Sequence, residues 1–132
     1  MKKYKIFLSF IIALIILGFN IFTVAATEPD QVITAYFKAL KVGDIELIKN
    51  LISNNLYNKK RVLLEKNPKY GNFLKKIYQD ADIHIVNIAK KDKGTYVNVE
   101  INFLNGGQDL VTFLLTKDNA KDWKISEEIT NP

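Results

Sequence analysis

No cysteine occurs in the 132 residues. That excludes a disulfide framework, a thiolate nucleophile, a thiolate-held metal and a lipid-modified cysteine behind a leader, so stability has to come from packing. Histidine is almost as scarce, with His84 the only one. A metal centre would therefore need mainly carboxylates and carbonyls, and no calcium-loop spacing of the D-x-D-x-D-G kind occurs; no metal and no cofactor is expected. There is no glycine-rich phosphate loop either, because Gly106-Gly107 joins two strand-like runs and opens no helix. Low-complexity tracts and internal repeats are also missing.

One long apolar run is present, at the N-terminus. Lys2, Lys3 and Lys5 precede a nearly unbroken apolar stretch from Ile6 to Phe22, and Val24-Ala25-Ala26 supplies the small residues of a signal-peptidase site. Residues 1–26 read as a signal peptide cleaved after Ala26. An uncleaved anchor is the alternative, since about 20 apolar residues suffice to span a bilayer. Both readings place the remainder outside the cytoplasm, secreted or held at the membrane. Without the three leader lysines, 16 basic residues face 14 acids, a net charge of +2. That is too weakly basic for a dedicated nucleic-acid binder. The 106 residues from Thr27 to Pro132 suit one domain with one core.

Helical periodicity comes first in that domain. Pro29-Asp30 precedes Val32, Ile33, Tyr36, Phe37 and Leu40 at helical spacing, and Gly43 offers a left-handed stop. Asp44 caps a second helix carrying Ile45, Ile48, Leu51 and Ile52. From Ser53 to Pro68 polar pairs interrupt the pattern, and Val62-Leu63-Leu64 suggests a short helical turn only. Tyr70, Phe73, Leu74, Ile77 and Tyr78 mark a third helix, with Gly71 weakening its first turn.

After Asp80 the period changes to two. Ile83 and Ile85, with Asn87, oppose His84, Val86 and Ile88, so the first strand is apolar on both sides and is expected to be central or covered. Val97, Val99, Ile101 and Phe103 then alternate with Tyr96, Asn98, Glu100 and Asn102. Asn105-Gly106-Gly107 marks a hairpin, and strands near 109–116 and around Trp123 and Ile125 complete the set. The expected class is α+β, with three helices packed on a mainly antiparallel four-stranded sheet.

The stretch Pro29-Asp30-Gln31-Val32-Ile33-Thr34-Ala35-Tyr36-Phe37-Lys38-Ala39-Leu40-Lys41-Val42-Gly43-Asp44, together with the closing Trp123-Lys124-Ile125, resembles the nuclear transport factor two superfamily. This cone-shaped fold includes ketosteroid isomerases and many small exported bacterial domains. The resemblance implies a strongly curved sheet around the first helix and a mostly apolar hollow, with Tyr36, Tyr70 and His84 as the pocket candidates by position. It fixes a fold better than an activity.

No catalytic set emerges. His84 lacks a recognisable partner, and Asp82, Glu100 and Asp109 are placed at an edge or on the wet strand face. The pairs needed for isomerisation or carboxylate-pair hydrolysis are therefore not legible. Lys59-Lys60-Arg61, Lys75-Lys76 and Lys90-Lys91 with Lys93 read as solvated basic surface; the alternative is contact with anionic lipid. The expectation is a non-catalytic module for a small apolar ligand or an extracellular protein, with Tyr96, Asn98, Glu100 and Asn102 as a candidate homodimer face. The alternative is an isomerase or hydrolase using a pocket carboxylate supported by a tyrosine or His84. A pocket acid hydrogen-bonded to one of those residues would favour the enzyme.

Overall fold

A computed structural model describes residues 28–119 and 121–130. The expected cleavage after Ala26, and the anchor alternative, lie outside these residues. Among these residues four helices come first: α1 (Pro29–Val42), α2 (Ile45–Leu51), α3 (Asn54–Lys66) and α4 (Tyr70–Tyr78). Four strands follow, β1 (Asp82–Lys91), β2 (Gly94–Asn102), β3 (Gln108–Asp118) and β4 (Asp122–Thr130), as one antiparallel meander in the order β1-β2-β3-β4. The α+β class and the four-stranded sheet stand as expected. None of the described helices is long and apolar enough to cross a membrane.

The helix α1 is the centre of the packing. Val32, Ile33, Tyr36, Phe37, Ala39 and Leu40 are all buried, more than one stripe of the helix, because the sheet covers one flank while α2 and α4 cover others. Facing them are Val97, Val99 and Ile101 of β2, Phe113 and Leu115 of β3, and Ile125 of β4. Fully burying one such side chain contributes about 1.5–3 kcal/mol. The sheet is also tied to the helices through its backbone, since Ile52 bridges to Ile125 and the Ser53 amide donates to the Ile125 carbonyl at 2.8 Å.

Two expectations fail. The segment from Ser53 to Pro68 is not a short turn but the 13-residue α3, begun by the Ser53 hydroxyl, which accepts from the Leu56 amide at 3.2 Å. Its buried face is only Leu56 and Leu64, and the Val62-Leu63 pair points to solvent. A helix with so narrow an apolar face has a weak periodic signal. Nor is β1 central or covered. It is an edge strand, with Ile85, Val86 and Ile88 at least partly exposed. A bulge at Val86 explains the mixed pattern: Ile83 pairs with Ile101 and Ile85 with Val99, then one residue is skipped and Ile88 pairs with Val97. The extra residue returns Ile88 to the face of Ile83 and Ile85, where strict alternation would have put Asn87.

Gly43 and Gly71 have a shared role. Gly43 closes α1 at φ 71°, in the left-handed region, and its backbone lies directly against that of Gly71 in α4. A Cβ at Gly71 would sit 2.7 Å from the Gly43 carbonyl oxygen. The weakness that Gly71 gives α4 is what lets α1 and α4 meet closely. Gly71→Ala should therefore destabilise the fold by about 1–3 kcal/mol despite alanine's better helix propensity. Urea midpoints of the two proteins check this, and an alanine variant as stable as the parent contradicts the close packing.

Candidate functional site

A second bulge, at Ser126 in β4, builds the site. Ile125 pairs with Leu115 and points into the core, the register slips by one residue, and Glu127 then pairs with Leu114 while Glu128 pairs with Phe113. Glu128 is thereby carried onto the helix-covered face, whereas uninterrupted alternation from Trp123 and Ile125 would have sent Glu127 and Ile129 there.

The Glu128 carboxylate is held at both oxygens. The Tyr36 hydroxyl donates to Oε1 at 2.5 Å, and the Lys60 ammonium lies 2.9 Å from Oε2. Tyr36 is buried, and the side chains of Glu128 and Lys60 keep 25% and 21% of their exposure. Three elements thus converge: α1 supplies the phenol, α3 the ammonium and β4 the carboxylate. Lys60 belongs to the inner face of α3, between Leu56 and Leu64 at four-residue spacing, and not to the solvated Lys59-Lys60-Arg61 cluster expected from the sequence.

Around this group is a cavity of about 150 Å³, lined further by Tyr70 and Leu74 of α4, Tyr78, Asp109 and Val111 of β3, and Thr130. Asp109 pairs with Ile101 and shares the inner-face register of β3 with Val111 and Phe113, so it lies at the mouth of the hollow, exposed to solvent as expected but on the side opposite to the wet strand face. The wall is largely aromatic. Tyr36, Phe37 and Phe113 meet edge to face at centroid distances of 5.7–5.9 Å, and Tyr78 continues the cluster between Phe37 and Phe103. Among the described residues, the Tyr70 and Tyr78 hydroxyls make no hydrogen bond and the Asp109 carboxylate accepts none.

Burial, and then the nearby Glu128 charge, push the Tyr36 phenol well above the usual tyrosine value. Tyr78 is raised as well, by burial first and then by Glu128 and Asp109. Among the described residues no group of three histidine, aspartate or glutamate side chains is placed to hold a metal.

Of the three positions expected to line one pocket, Tyr36 and Tyr70 share this hollow and His84 does not. His84 is exposed on β1, where its Nε2 lies 3.0 Å from Asp82 Oδ2. Glu128, Lys60, Tyr78 and Asp109 were missed. The spacing Leu56-Lys60-Leu64 was the available signal for Lys60, whereas nothing in the local sequence announces the bulge that turns Glu128 inward.

No family model and no curated protein matches this chain. The chain is similar to a crystal structure described as an NTF2-like protein of unknown function from Cytophaga hutchinsonii. The TM-score is 0.46 at 11% identity, over 82% of this chain and 94% of that one.

The raised Tyr36 value carries a stability consequence. Above about pH 10 the unfolded chain releases its phenolic proton while the folded protein retains the Tyr36 proton, so the unfolded state binds fewer protons and stability falls as pH rises. The contribution is complete below about pH 10 and is lost through the interval up to the raised folded value. Tyr36→Phe should cost about 0.5–2 kcal/mol near pH 8, because Glu128 loses a donor, and should flatten the decline above pH 10. Urea midpoints at both pH values test this; equal slopes in the two proteins would assign the alkaline decline to other groups.

Proposed function

We propose that this chain is an exported, non-catalytic binding domain whose hollow takes a small polar molecule with a cationic or hydrogen-bond-donating end. One observation supports this most: Glu128 is engaged by Tyr36 and Lys60 at once, while Asp109 and the Tyr70 and Tyr78 hydroxyls on the same wall form no hydrogen bond among the described residues. The paired charges give a fixed frame, and the open acceptors give a ligand something to bind. The basic, apolar and small-residue order of residues 2–26 supports export.

This ligand is more polar and smaller than the apolar one expected from the sequence. A volume of about 150 Å³ lies below the ~300–1,000 Å³ of drug-sized pockets.

The Tyr36–Glu128 hydrogen bond also favours the alternative of an isomerase or hydrolase, because it places a pocket acid on a tyrosine. Lys60 weighs against Glu128 in that role, because its ammonium already contacts the second oxygen and a substrate would have to compete with it there.

Native mass spectrometry of the protein isolated from its own source tests the proposal. The expected result is a removable small-molecule mass that is lost in Asp109→Asn and kept in His84→Gln. A bare polypeptide mass from the parent, alone or doubled, would overturn the small-ligand reading in favour of a protein-interaction module.

A further inference from the structure

A second concavity lies on the other side of α1, between that helix and the edge strand β1, with a volume of about 420 Å³. It shares only Phe37 with the hollow around Glu128. Its apolar surface is offered by Ile83 and Ile85 of β1, which the strand register turns toward the helix, above Ile33 and Phe37 of α1, which are themselves buried. Along the helix side stand Lys38 and Lys41, three residues apart and so on one flank of α1. The strand side is completed by His84, whose Nε2 is engaged with Asp82.

The charge state of this rim differs from that of the hollow. There the single lysine is neutralised by Glu128; here neither Lys38 nor Lys41 forms an ion pair among the described residues. An apolar floor beside two uncompensated ammonium groups complements a ligand that is apolar along its length and anionic at one end. A neutral apolar molecule would leave the lysines unused, and a compact anion would leave the floor uncovered. The volume falls within the ~300–1,000 Å³ of small-molecule sites, unlike the hollow.

We infer that the α1–β1 groove binds a single-chain alkyl carboxylate, with its chain over Ile83 and Ile85 and its carboxylate at Lys38 and Lys41. The strand edge makes this possible. Among the described residues no further strand pairs with β1, and the bulge at Val86 interrupts the strand just beyond Ile85. This inference does not depend on what occupies the hollow.

The test uses dodecanoate carrying a photoreactive group in its chain, applied to the protein as isolated from its source, with the labelled peptides mapped by mass spectrometry. Labelling is expected on the segments containing Ile33–Lys41 and Ile83–Ile85, and unlabelled dodecanoate should compete it away. Loss of both charges in Lys38→Gln/Lys41→Gln should reduce labelling about tenfold, as expected for removing two charge-assisted contacts. Lys38→Arg/Lys41→Arg should retain it, which separates charge from any change in folding. The corresponding photoreactive alcohol should label about tenfold less than the carboxylate. Labelling unchanged by the glutamine pair, equal labelling by the alcohol, or a map confined to the Glu128 hollow or the apolar N-terminal stretch would each overturn the inference.

Discussion

Everything in this domain is arranged by the burial of α1. A helix at the surface of a small protein usually buries one stripe and wets the other. Here Val32, Ile33, Tyr36, Phe37, Ala39 and Leu40 are nearly inaccessible, so neighbours are required on several flanks at once. The sheet supplies one flank, while α4 comes close enough for another only where Gly43 and Gly71 bring two backbones together. Without cysteine to staple it, a domain of this size depends on such contacts for a unique structure. The same arrangement creates both concavities, because a round helix on a bent sheet leaves space along each side.

The elements of this architecture that were legible in the sequence are those with strong, uninterrupted periodicity. The helix at Val32–Leu40 and the alternation at Val97–Phe103 are each supported by every residue in the run, and the Asn105-Gly106-Gly107 hairpin forms where its turn chemistry places it. What failed was phase. At Val86 and Ser126 one inserted residue reverses which neighbours face the core, and such bulges carry no side-chain signature of their own. The first led to an edge strand being read as covered, and the second concealed Glu128. The helix α3 was obscured for a related reason, since its inner face alternates Leu56, Lys60 and Leu64 and a lysine in the middle of an apolar stripe resembles an interruption.

The candidate site was consequently half visible. Tyr36 and Tyr70 could be placed because they lie on regular helical faces, whereas their charged partners come through a bulge and through an element whose periodicity was weak. His84 was drawn into the same list by its chemistry alone. Position in the fold decides otherwise: strand alternation sends it toward Asp82 on an exposed edge, and a histidine paired there has no route to the hollow.

The Tyr36–Glu128–Lys60 group is difficult to explain as a stabilising device. Removing two charges from water costs much of what their attraction returns, and apolar residues of similar size often serve stability equally well or better. Around this group such residues abound, with Leu40, Leu74, Val111 and Phe113 all within the same wall. An apolar substitute for Glu128 opposite Phe113 would join that wall without needing the hydroxyl of a buried tyrosine or the ammonium of Lys60. What an apolar substitute would not provide is a charged frame held rigid from three different elements, next to an unengaged carboxylate at Asp109. Fixed dipoles and charges of this kind favour a bound polar molecule because they need little rearrangement when it arrives. The proposed binding role gives such a frame a use, while most of the domain's stability rests on α1 and its apolar neighbours.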